Sequence, residues 1–152
     1  MKDLKTISGG DNYAAIDLGA FANLMDHSFL HPKLNLEVKG KVFTGEALKA
    51  TGTEISFQVL PARAEISFLH THKTHEEIYV FLKGSGQFQV DGNIIDVKEG
   101  TVIRVSPEGK RAWRNNSDEP LTFMVIQSKS GSLEHFTVAD GSRVEGKINW
   151  EK

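Results

Sequence analysis

The chain has 152 residues, 39% of them hydrophobic and 25% charged, with a formal net charge of −2, a profile that suits one globular domain long enough to bury a core. No Lys/Arg run reaches five residues and the charge is nearly balanced, so nothing points to nucleic acid or an anionic membrane surface, and no apolar run approaches the length that spans a bilayer. Cysteine is absent, which excludes disulfides and thiol nucleophiles; with no apolar leader stretch at the N-terminus, the cytoplasm is the expected location.

The first third of the chain is loosely patterned. Residues 13–30 carry Ala14, Ala15, Ile16, Leu18, Phe21, Leu24 and Met25 at partly helical spacing, interrupted by Gly19. A short helix or turn is expected there, ended at His31-Pro32 because a residue before proline disfavours the α region. Residues 36–48 alternate in part, through Leu36, Val38, Val42 and Phe43, as an arm or early strand packed against another subunit would.

From residue 54 the pattern is regular. Residues 54–60 alternate with period 2 and stop at Pro61, as a strand does. Residues 66–72 form the next expected strand, and residues 78–82, apolar on both faces, suit a strand inside a sandwich or barrel. Residues 87–90 run into Asp91-Gly92, the strongest two-residue hairpin signal, from which 93–97 return. Three more strands are expected at 101–105, 112–115 and 121–127. A last one is expected at 135–138, before a polar tail docked by Trp150. Short strands separated by Gly, Pro, Asn and Asp argue for an all-β barrel or sandwich. The expected organisation is one domain: an N-terminal, partly helical arm (1–53), a β-barrel core (54–128) and a C-terminal strand and tail (129–152).

The most informative stretch runs from His70 to Gly86. Side chains at i and i+2 share one face of a strand, so His70 and His72 point the same way. An antiparallel pairing across the following turn would bring Glu77 opposite them. Two neutral imidazoles and a carboxylate suit a divalent transition metal such as Fe, Mn, Ni or Zn; the plainer alternative is a pair of surface histidines flanking a hairpin. If Glu77 faces inward, so do Tyr79 and Phe81, as aromatic cavity walls. Glu76 or Thr74 could hold the second ring nitrogen that a metal-binding histidine presents, and His75 could supply a further ligand.

The order His70-x-His72-x4-Glu77-x6-Gly84 resembles the first motif of the cupin superfamily, although Ala64 stands where that motif opens with glycine. The second motif of the family, Gly-x5-Pro-x-Gly-x2-His-x3-Asn, is matched by Gly100, Pro107, Gly109 and Asn116, with one extra residue before the proline. Aligned on that turn, the last metal-binding histidine of the family falls on Ala112. The resemblance covers residues 54–128 and implies a double-stranded β-helix, a small jelly-roll cupin barrel with the histidines facing inward near its mouth.

Two functional expectations follow from the resemblance. In the first, a metal sits on His70, His72 and Glu77, as in the 2-His-1-carboxylate triad of non-haem iron oxygenases. A small polar metabolite would then occupy the pocket, with dioxygenase, isomerase or decarboxylase chemistry. In the second, the metal site has lapsed and the pocket is a non-catalytic sensor or storage site, where Arg114, sharing a face with Ala112, would reach a carboxylate or phosphate. The resemblance also implies a homodimer with the N-terminal arm crossing to its neighbour. No Gly-x-Ser-x-Gly elbow supports a serine hydrolase, and Gly84-Ser85-Gly86 lacks the rest of a phosphate-binding loop.

Overall fold

A computed structural model describes residues 4–33 and 35–151; the first three residues of the expected arm, Leu34, and the last residue of the tail lie outside the described residues. Among these, strands dominate. Two N-terminal hairpins come first: β1 (Lys5–Gly10) with β2 (Tyr13–Asp17), and β3 (Ser28–His31) with β4 (Leu36–Lys39). The short helix expected in this region is a 3-10 helix, Phe21–Asp26, between the hairpins. A three-residue strand β5 (Lys41–Phe43) and a single helical turn α1 (Gly45–Leu48) lead into β6 (Thr53–Leu60).

The barrel follows: β7 (His75–Lys83), β8 (Ser85–Val90), β9 (Asn93–Lys98), β10 (Val102–Val105), β11 (Arg111–Arg114) and β12 (Leu121–Lys129). A five-stranded sheet in the order β10-β7-β12-β6-β5 faces a three-stranded sheet β11-β8-β9, which is the all-β, double-stranded β-helix the sequence implies. Asp91 and Gly92 both take positive φ, 48° and 83°, as a type I′ turn requires, and Val90 pairs with Asn93 across it. Gly84, at φ 85°, links β7 to β8 where a Cβ would strike the carbonyl oxygen of Pro120.

Alternation places the core. β7 buries Glu77, Tyr79 and Phe81 and turns Ile78, Val80 and Leu82 to the half-buried outer face. Tyr79 and Phe81 meet Phe88, Trp113 and Phe123 between the sheets, with Phe88 and Trp113 stacked at 6.0 Å. Burying each such ring contributes about 1.5–3 kcal/mol. A second cluster, Leu24, Val42 and Val59, lies on the outer side of the five-stranded sheet, where Leu4, Leu18 and Phe57 pack against it. Within this single chain the N-terminal segment therefore covers its own barrel.

Four expectations are corrected. Residues 66–72 are not a continuous strand, because they meet β11 through one isolated bridge, His70–Arg111, with a second, Glu65–Arg114, just before them. No hairpin joins them to β7, whose neighbours are β10 and β12. Residues 135–138 form no strand, and Trp150 is 89% exposed instead of docked. No helix among the described residues is long and apolar enough to cross a membrane.

Candidate metal centre

His70 and His72 reach the barrel mouth on the extended segment, while Glu77 stands on the inward face of β7. They come together across the barrel instead of through a shared hairpin. One nitrogen from each imidazole and a carboxylate oxygen all lie within 4.8 Å of one another. His72 Nε2 is 3.2 Å from Glu77 Oε1, and His70 Nε2 is 3.9 Å from Oε2. His72 Nε2 is buried and makes no hydrogen bond, so it stands at ion-pair distance with its lone pair or proton unused.

Glu77 is 5% exposed and heavily furnished with donors. Tyr79 Oη donates to Oε2 at 2.5 Å, Gln127 Nε2 donates to Oε1 at 3.0 Å, and Arg111 donates to Oε2 from Nε at 3.1 Å and from Nη2 at 2.8 Å. Burial alone would push this carboxyl up. The His72 imidazole and the hydrogen bonds from Tyr79, Arg111 and Gln127 outweigh it and hold the group well below the usual carboxylate range. The same contact and burial push the Tyr79 phenol up. Burial, with the Arg111 charge beside it, brings His70 down to about 4. At neutral pH the cluster thus pairs a neutral His70 imidazole with an ionised Glu77 carboxylate. That is the protonation state a metal needs.

Arg111 is the residue that motif alignment misplaced. Counted from the Pro107-x-Gly109 turn, the histidine position of the family is 112 and its asparagine 116; counted from Gly100 they are 111 and 115. The structure follows Gly100. Arg111 is fully buried, and its Nη1 donates to the carbonyls of Pro107 (3.2 Å) and Gly109 (2.7 Å). Asn115 is 1% exposed and ties the carbonyls of Leu60, Pro61 and Glu119 together. The extra residue before Pro107 is compensated by one fewer after Gly109. Ala112 consequently turns to the other face of β11.

That one-residue shift also displaces Arg114. It is exposed and bonds Gln87 of β8 at 2.5 and 2.8 Å, outside the barrel mouth. Tyr79 and Phe81, expected as cavity walls, are packed in the aromatic core, 0% and 1% exposed. Tyr79 still reaches the site as a donor to Glu77. The other expected supports do not: Thr74 bonds His75, Glu76 pairs with Arg104 at 3.4 Å, and His75 is exposed. His70 Nδ1 is buried without a partner.

The fit to a divalent metal is therefore real but three-sided. Two nitrogens and an oxygen suit Fe, Mn, Ni or Zn, whereas a guanidinium fills the place of a fourth ligand. Residues 56–127 match the Cupin domain family. A cupin protein from Bacteroides fragilis has the same fold, at a TM-score of 0.66 and 42% identity over 69% of this chain and 89% of that one. The chain is a cupin. Among curated relatives, an uncharacterized protein of Methanocaldococcus jannaschii is 30% identical over 95 residues, 62% of this cupin. A glucose-6-phosphate isomerase of Pyrococcus abyssi is 30% identical over 76 residues, 47% of this cupin. The matched regions span 65% and 40% of those relatives, less than two thirds of either.

Proposed function

We propose that this cupin binds a divalent transition metal on His70, His72 and Glu77 and takes a small polar metabolite at the barrel mouth. The observation that carries the reading is the convergence of the buried His72 Nε2, which makes no hydrogen bond, and the His70 imidazole on the Glu77 carboxylate, with one ligand atom of each within 4.8 Å of the others. When bound, the metal would supply a Lewis acid for chemistry on the metabolite, and the isomerase name of the Pyrococcus abyssi relative supports looking first for isomerisation. Tyr79, Gln127 and Arg111 hold Glu77 ionised and fixed in rotamer, and Phe88, Trp113 and Phe123 keep water from the floor below it.

A second reading rests on Arg111. Its guanidinium already neutralises Glu77, so the cluster can stand without a metal, as an imidazole-lined pocket for an organic ligand in a non-catalytic binder. Elemental analysis of protein purified without tag or chelator, beside a His70→Ala/His72→Ala variant, separates the two. The metal reading expects near-stoichiometric Fe, Mn, Ni or Zn that the variant lacks. Wild-type protein that stays metal-free after reconstitution overturns it in favour of the second.

A further inference from the structure

Lys41 and Gln58 stand directly opposite each other on β5 and β6. Gln58 is also paired with Phe123, a core residue, and Lys41 alternates with Val42, which faces the outer cluster. Both polar side chains therefore project into the barrel. The Lys41 ammonium lies 5.1 Å from the centroid of the Phe43 ring and within electrostatic reach of both Glu77 and His70. Burial pushes its pKa down, with the Glu77 charge opposing. Gln58 is 3% exposed and its Oε1 has no hydrogen-bond partner.

Charge accounting isolates this lysine. Glu77 is matched by Arg111, whose donors are directed to Glu77, Pro107 and Gly109. Among the described residues no carboxylate pairs with Lys41, and Glu54, which shares the inward face of β6, is engaged instead by the backbone N–H groups of Thr44 and Gly45. A half-buried amine without a carboxylate partner and a buried amide oxygen without a hydrogen bond, on directly opposed residues, leave polar capacity facing the barrel unused.

We propose that Lys41 and Gln58 form an anion-recognition subsite in the barrel, which takes the carboxylate or phosphate group of the ligand while a neighbouring hydroxyl donates to Gln58 Oε1. This rests on the reading of the barrel mouth as the ligand pocket, but not on the presence of a metal. Lys41 supplies charge-assisted hydrogen bonds to the anion, and Phe43 provides an apolar face beside the ammonium. The nearby imidazoles then face the rest of the ligand.

The test is calorimetric titration of chelator-treated full-length protein with inorganic phosphate and, separately, with acetate, at constant ionic strength. Wild type, Lys41→Met, Lys41→Arg and His70→Ala/His72→Ala are compared. Saturable binding of one anion is expected, weakened at least about tenfold in Lys41→Met, restored in part by Lys41→Arg, and kept in the histidine variant. Phosphate alone binding identifies a phosphoryl ligand, and acetate alone a carboxylate ligand. Undiminished binding in folded Lys41→Met, or no binding of either anion to wild type, overturns the proposal. Metal content, read on the same preparations, reports separately on the metal site.

Discussion

Replacing Arg111 by methionine keeps the aliphatic stem and removes the guanidinium. The change deletes two hydrogen bonds to Glu77 Oε2 and those to the carbonyls of Pro107 and Gly109. Glu77 is left as a buried charge with only neutral donors, Tyr79 and Gln127, and the His72 imidazole. Breaking a buried pair by removing one partner costs about 3–5 kcal/mol. For a domain of this size each kcal/mol moves the melting temperature by about 2–4 °C, so a fall of about 10 °C is expected. The assay is denaturant unfolding of chelator-treated wild type, Arg111→Met, Glu77→Gln and the double variant. If Arg111 acts through Glu77, the double variant is less destabilised than the sum of the singles, by about 2 kcal/mol. Additive losses, or a loss below about 1 kcal/mol in Arg111→Met, would refute the pairing as the reason this arginine is buried.

Two further outcomes test the surroundings of the site. His70, held down at about 4 in the fold by burial and the Arg111 charge against an unfolded value near 6.5, makes a contribution to stability that is complete above pH ~6.5 and lost as the pH falls toward 4. Unfolding of metal-free protein should weaken more steeply over that window in wild type than in His70→Asn, and equal slopes would count against the buried neutral imidazole. Asn115→Ala strands the carbonyls of Leu60 and Pro61 and frees Ser117, whose N–H and hydroxyl donate to Asn115 Oδ1 at 3.0 and 2.7 Å. A loss of about 2–3 kcal/mol is expected, against less than about 0.5 for exposed Asn116→Ala; the reverse order in thermal melts would return the motif asparagine to position 116.

Much of the barrel is legible because its signals are local. Period-2 runs, Pro61 as a stop and Asp91-Gly92 as a hairpin turn each act over a few residues, and the strands they mark lie within one or two positions of those observed. The grouping of His70, His72 and Glu77 is legible through the motif they share with cupins, whereas the hairpin that spacing suggests is not the route that assembles them. Residues 66–72 pair across the barrel with β11, and no nearby sequence announces that long-range partner. Arg111 was hidden by register. Two compensating one-residue changes around Pro107 and Gly109 leave the motif almost intact while moving every side chain of β11 to the opposite face. Gly100 carried the right count, and the buried Arg111 and Asn115 show why it governs: they are the two polar residues of this stretch that find enough partners to be enclosed. Lys41 carries no legible signal, because β5 is only three residues long, too short to display a period.

The site is stitched together unevenly. Glu77 rides on β7, which is hydrogen-bonded along both edges to β10 and β12. The histidines ride on a strap fastened by a few widely spaced bonds, at Ile66, His70 and His72, and carrying exposed Phe68 and Leu69. Detaching the strap breaks few backbone hydrogen bonds, so its opening free energy is expected to sit below that of the barrel. Amide hydrogens of the strap are expected to exchange through that local opening, and those of β7 only through global unfolding. Whatever the imidazoles hold can therefore be admitted and released at the rate of the strap, while the carboxylate stays in place.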